Sequence, residues 1–143
     1  MSDRPVPDRP LPEPTPETRF FWEATREGRL LVQRCIACEK AYFPPRPFCP
    51  KCGSRDVEPL ACSGEARLLS YVINQRLHPK WKWREPYSIA IVELAEGPCM
   101  LTNIVGCPQT PEVLVLDMPL RVAFEAVTDK VTLPVFEPAG VDA

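Results

Sequence analysis

Four cysteines stand in two Cys-x-x-Cys pairs, Cys35-Ile-Ala-Cys38 and Cys49-Pro-Lys-Cys52, with ten residues between the pairs. Two residues between sulfurs let the backbone curl so that both sulfurs meet one ion. Four soft thiolates form the tetrahedral set that zinc takes in structural sites. Backbone amides in each turn can donate to the thiolates. Gly53 supplies the positive φ on which such a turn often ends, whereas Glu39 stands at the matching place in the first turn. The pattern predicts one structural zinc ion on Cys35, Cys38, Cys49 and Cys52. Two redox-active dithiols, or iron on the same ligands, are the alternatives. Four sulfurs fill the coordination sphere and leave no position for a substrate, so metal catalysis is not expected.

The second cluster with chemical potential is Arg76-Leu-His-Pro-Lys-Trp-Lys-Trp-Arg84. Arg76, Lys80, Lys82 and Arg84 bring four cations with no acid among them, and Trp81 and Trp83 are interleaved. In an extended chain the two tryptophans share a face, opposite Lys80, Lys82 and Arg84. Three readings stay open. The segment is a solvated loop with its tryptophans folded inward, a platform for single-stranded nucleic acid, or a contact for a partner protein or phosphate-bearing cofactor. His78, the one histidine, precedes a proline and reads as structural. No Ser-His-Asp set, Cys-His set or glycine-rich phosphate loop can be assembled, so no catalytic residue is assigned.

Seven cysteines in all is an odd number, which fits a reducing compartment better than a secreted disulfide framework. Cys62, Cys99 and Cys107 are expected to be small buried apolar residues. The N-terminus lacks the apolar core of a signal peptide, and no apolar run approaches the roughly 18 residues of a membrane helix, so a cytoplasmic protein without membrane contact is expected. A formal net charge of −2 over 143 residues speaks against a general nucleic-acid coat.

The elements that must hold these groups can be read in order. Residues 1–14 alternate prolines with charges and form a proline-rich arm, read as a tail or as an arm lying on a partner subunit. Residues 15–29 are a helix with Thr15 as cap, Pro16 in the first turn, an apolar stripe of Phe20, Phe21 and Ala24, and Gly28 as stop. Residues 30–60 carry the zinc ribbon: a strand leads into the first pair, and Pro44, Pro45 and Pro47 exclude a long element before the second. From 61 to 138 the pattern is β. Leu69, Tyr71, Ile73 alternate with Leu68, Ser70, Val72; strands are also expected at 88–94, 99–105, 120–127 and 131–136. Five strands with no long helix between them predict a small closed or partly closed barrel. Residues 108–119 have no decided conformation, and 139–143 are a tail.

The motifs LLVQRCIAC, PPRPFCPKCGS, SGEARLLSYVINQR, PYSIAIVELAEGPCMLTNIVGC and VTLPVF, in that order from about Phe21 to Pro138, resemble the zinc-ribbon plus OB-fold proteins associated with acyl-coenzyme A enzymes, domain-of-unknown-function family thirty-five. Glu39 departs from the glycine usual there, which bears on the turn and not on the ligands. The resemblance implies a mainly β fold: an N-terminal helix, a rubredoxin-like zinc ribbon and a five-stranded OB barrel. It implies a small subunit of a thiolase-like enzyme, or less often of a hydratase or aldolase acting on acyl-CoA. Such a subunit supports the catalytic chain and helps hold coenzyme A, with Arg76, Lys80, Trp81, Lys82, Trp83 and Arg84 as the candidate contacts. The catalytic groups would lie on the partner. A single-stranded nucleic-acid module is the alternative.

Overall fold

Residues 9–79, 81 and 83–139 are described by the structure, a computed structural model. The chain enters through a turn in which the Thr18 amide donates to the Thr15 carbonyl at 3.1 Å, and the helix α1 then runs Arg19–Arg26. Thr18, not Thr15, occupies the capping position, and its carbonyl accepts from Phe21 and Trp22. The helix ends as the sequence suggests. Gly28 sits at φ +76, its amide donates to Thr25 and the next amide, of Arg29, to Ala24, which is the paired closure of a Schellman motif. Phe21, Ala24 and Thr25 face inward.

Two sheets follow. The first has the order β2-β1-β3, with β1 at Leu31–Cys35, β2 at Ala41–Tyr42 and β3 at Val57–Ala61, all antiparallel. The strand β3 was not anticipated: it contains Pro59, which breaks the alternation and is tolerated because β3 is an edge. The proline loop between β2 and the second cysteine pair is pinned by Gln33, whose Oε1 accepts from the Arg46 amide at 2.6 Å, and by Tyr42, whose hydroxyl donates to the Arg46 carbonyl.

The second sheet has five strands: β4 Glu65–Asn74, β5 Tyr87–Leu94, β6 Cys99–Thr102, β7 Pro119–Ala126 and β8 Thr132–Pro138, in the order β6-β5-β4-β7-β8. It curls until its two ends meet in a parallel bridge between Ile104 and Phe136, with Val105 donating to Phe136 and Phe136 to Asn103. This is the expected mainly β architecture, with one short helix, a ribbon and a five-stranded OB-type half-barrel. One detail departs from strict period two. A bulge between Leu68 and Ser70 shifts the register. Leu68, wholly buried, therefore shares the inner face with Tyr71 and Ile73 rather than the outer face with Ser70 and Val72. Gly64 opens the barrel at φ +91, and a Cβ there would meet Val122 Cγ1 at 2.6 Å. Residues 105–118 contain bends and turns, and Leu114 among them is buried in the core.

One apolar core joins the parts. Phe21 of the helix and Leu30 and Val32 of the ribbon pack in the same cluster as Leu68, Val92, Leu94, Ile104, Leu120 and Phe136 of the barrel. Phe21 also meets Trp22 edge-on and Phe43 of the proline loop at 5.2 Å. Among the described residues no helix is long and apolar enough to cross a membrane.

Candidate metal centre and basic aromatic segment

The strand β1 delivers Cys35 to the first knuckle, and the pinned proline loop delivers Cys49 to the second. The four sulfurs of Cys35, Cys38, Cys49 and Cys52 lie within 4.8 Å of one another, with Cys35–Cys52 at 3.5 Å and Cys38–Cys49 at 3.7 Å. A metal with sulfurs at about 2.3 Å sets tetrahedral edges of about 3.8 Å, so the observed edges suit one four-coordinate ion. The two knuckles close with the same backbone bond. Glu39 donates to the Cys35 carbonyl at 2.8 Å and Gly53 to the Cys49 carbonyl at 2.9 Å. The Cys38 and Lys51 amides each lie 3.4 Å from a sulfur, Cys35 and Cys49 respectively.

Glu39 adopts φ +61, the conformation glycine takes at Gly53 with φ +79. The first knuckle thus has the regular turn despite its side chain, and Arg34 pairs with the Glu39 carboxylate at 3.2 Å.

Held by protons alone, Cys49 and Cys52 move in opposite directions. Backbone donation from Cys52, resisted by burial, pulls the Cys49 thiol down to about 6. At Cys52 the Ser54 amide favours the thiolate, but the crowding sulfurs and burial outweigh it and hold the thiol up at about 11. Such a set gains from a divalent cation that satisfies all four sulfurs at once.

The basic aromatic segment joins β4 to β5 at one end of the barrel. Trp83 is not an open ring. The Arg9 guanidinium sits 3.8 Å and that of Arg84 4.9 Å from its centroid, and Tyr87 meets it edge-on at 5.4 Å. Glu125 at the end of β7 accepts from Trp83 Nε1 at 3.1 Å and from Arg84 at 3.0 Å. Arg9 also donates to Asn103 Oδ1 at 2.7 Å, and burial lowers its pKa against the pull of Glu125. Trp81 is half-buried and its amide donates to the His78 carbonyl; Arg76 is exposed. Lys80 and Lys82 lie outside the described residues, as do residues 1–8 of the arm.

The sequence did not point to Arg9, Asn103 or Glu125, which come from distant parts of the chain; the pairing of Arg9 with Asn103 spans 94 positions. Arg9, read as part of a tail or of an arm on a partner, lies on the chain's own barrel.

The remaining cysteines divide differently from expectation. Cys99 is exposed, because it starts β6 on an outward position, whereas Cys62 and Cys107 are half-buried. Burial, reinforced by the Glu96 carboxylate, pushes the Cys62 thiol up to about 12, and burial raises that of Cys107. Neither is poised as a thiolate nucleophile.

Comparison with known proteins bears on both regions. Residues 22–58 match the family profile described as ChsH2, rubredoxin-like zinc ribbon domain, and residues 61–125 that described as ChsH2, C-terminal OB-fold domain. A probable enoyl-CoA hydratase alpha subunit of Thermomonospora curvata is 37% identical over 132 residues, 92% of this chain; the chain spans 40% of that relative's length. A DUF35 domain-containing scaffold protein of Methanocaldococcus jannaschii is 31% identical over 110 residues, 76% of this chain and 77% of the relative. A solved structure titled Ltp2-ChsH2(DUF35) aldolase contains a chain that is 36% identical, with a TM-score of 0.80, covering 91% of this chain and 100% of that one. By both its paired domains and its relatives, this chain belongs to the DUF35 family of zinc-ribbon and OB-fold proteins.

Proposed function

We propose that this chain is a non-catalytic subunit of an acyl-CoA-processing complex: it holds one structural zinc ion and supports a thiolase-like catalytic chain. The observation that carries this reading is the likeness, over the full length of the compared chain, to a component of a two-part aldolase. The hydratase alpha subunit of Thermomonospora curvata points to the same class of thioester chemistry. The site supports it in two ways. Four sulfurs suffice to fill a zinc ion's coordination, leaving no place for substrate. The half-buried thiols of Cys62 and Cys107 are held protonated rather than activated.

Coenzyme A carries phosphates and an adenine. Arg76, with Lys80 and Lys82, would pair with phosphate oxygens, and Trp81 would offer an aromatic face. Trp83, already stacked against Arg9, would act as the anchor of the segment.

The test is reconstitution. The zinc-loaded chain, co-expressed with a thiolase-like chain encoded beside it, is expected to purify as a stoichiometric complex that alone turns over an acyl-CoA. Turnover of the thioester by this chain by itself would overturn the reading. For the coenzyme A contact, the Trp81→Ala/Trp83→Ala double variant is expected to weaken coenzyme A binding by the complex; unchanged affinity would remove these residues from that role.

A further inference from the structure

The outer face of the barrel is built unlike an ordinary solvated sheet. In an antiparallel sheet with one packed side, the outward positions are normally polar. On β5 the buried Ser88, Ala90, Val92 and Leu94 alternate with outward Ile89, Ile91 and Glu93. Register places Val72 opposite Ile89 and Leu101 opposite Ile91. These four side chains, from three adjacent strands, are 57%, 38%, 70% and 39% exposed for Val72, Ile89, Leu101 and Ile91. They form one aliphatic patch, with Ser70 as its polar edge.

The surroundings define the patch. At one end Asn74 donates to the Tyr87 hydroxyl at 2.7 Å, and Tyr87 leads to Trp83 and its two guanidiniums. At the other end Arg67 is paired with Glu93 and Asp117. OB-folds take ligands on the face of their second and third strands and on the loops beside it. Here those strands are β5 and β6, and the first loop is the basic aromatic segment. A nucleic-acid platform would carry aromatic rings and cations on that face. This face carries branched aliphatic side chains, with aromatic and arginine residues only at its rim, which is the anatomy of a protein interface.

We propose that the outer face of β4, β5 and β6, centred on Ile91 and Leu101, is the surface on which the catalytic chain docks. The assignment rests on the subunit function proposed above and adds where the partner sits. Area and charge both favour the catalytic chain as the occupant. A stable interface takes about 800 Å² from each side, whereas a patch of this kind supplies a few hundred. The remainder comes from the adjoining segment around Trp83 and Arg84, so one partner covers both. Among the described residues, Arg9 and Arg84 both draw on the one carboxylate of Glu125, leaving positive charge at that rim. The partner surface is therefore apolar at its centre and carries carboxylates where it meets Arg84.

The test uses the thiolase-like chain found by mass spectrometry in the complex with the wild-type protein. Ile91→Lys/Leu101→Glu converts the cross-strand pair into an opposite-charge pair, which suits a solvated sheet surface. With zinc content and thermal midpoint held, it is expected to weaken binding by about 100-fold, the scale of lost interface anchors. Val115→Lys/Leu116→Glu, on exposed residues of the loop before β7, is expected to leave binding within about threefold. Hydroxyl-radical footprinting of the wild-type complex needs no variant and is expected to show Leu101 and Ile89 protected. Unchanged affinity of the folded Ile91/Leu101 variant, or undiminished oxidation of Leu101 in the complex, overturns the docking face while the subunit reading stands. Failure of the wild-type chain to bind any thiolase-like chain overturns the subunit reading itself. Self-association of the free chain, or binding of a single-stranded oligonucleotide, that the Ile91/Leu101 variant abolishes would assign the face to another occupant and overturn the proposal.

Discussion

The ribbon and the barrel adjoin in one core but are held by different forces. From β1 to β3 the ribbon buries Val32, Gln33, Cys35, Tyr42, Pro45 and Cys49, a set with few large apolar side chains. Its sheet has two edge strands, one of two residues and one carrying a proline. The barrel buries Leu68, Val92, Leu94, Leu114, Leu120 and Phe136, and its sheet closes on itself. Ordering each residue costs roughly 1–2 kcal/mol of backbone entropy. Apolar burial meets that in the barrel. The ribbon lacks that burial, and its four sulfurs are placed so that coordination of one ion would supply the difference. We therefore expect the ribbon's shape to depend on metal and the barrel's not to, although Leu30 and Val32 tie them into one core.

The largest effect should come from removing the metal. Cys49→Ser, or chelation of the zinc-loaded protein, removes a binding energy on the order of 10–16 kcal/mol from the ribbon. Amide exchange is expected to lose protection across 35–57 while residues 88–104 keep theirs. Simultaneous loss in both regions would show that the shared core makes them one cooperative unit. Next is Phe136→Ala, a cavity at the barrel's closure; it is expected to cost about 3–5 kcal/mol in denaturant unfolding without lowering zinc stoichiometry. Equal loss of zinc would erase the contrast between the two regions.

A third test sits at the junction. Gly64→Ala puts a Cβ against Val122 at a φ few other residues adopt, and is expected to cost about 1–3 kcal/mol. Adding Val122→Ala should restore only the part due to the clash, because the backbone strain remains. The smallest effect is expected within the ribbon. Glu39→Gly relieves a positive φ, a gain of about 1 kcal/mol, and loses an exposed ion pair with Arg34 worth less than that. The zinc-loaded ribbon should resist chelator slightly longer; faster metal release would mean that the pair with Arg34 matters more than the strain.

How much of this was visible in the sequence differs by region and by reason. The ligand quartet was legible because its geometry is local: two residues between sulfurs already fix each knuckle. The strands of the barrel were legible where small or apolar residues alternate with polar ones. The strand Val57–Ala61 was not, since Pro59 and Glu58 give it no alternation and only pairing with β1 makes it a strand. The bulge at Leu69 was invisible for a related reason: Leu68 and Leu69 are both apolar, so nothing local says which turns inward. The surroundings of Trp83 were out of reach, because Arg9, Asn103 and Glu125 meet it only when the barrel closes.

The sequence by itself determined which four cysteines come together, the order of helix, ribbon and barrel, and the basic aromatic character of residues 76–84. Tertiary structure decided which face of a strand with aliphatic side chains on both sides meets solvent. In Ser88–Leu94 both alternating sets are rich in aliphatic side chains, so period two separates them without ranking them. Only closure of the sheet, which leaves room inside for Ala90 and Val92 against Phe136, turns Ile89 and Ile91 outward.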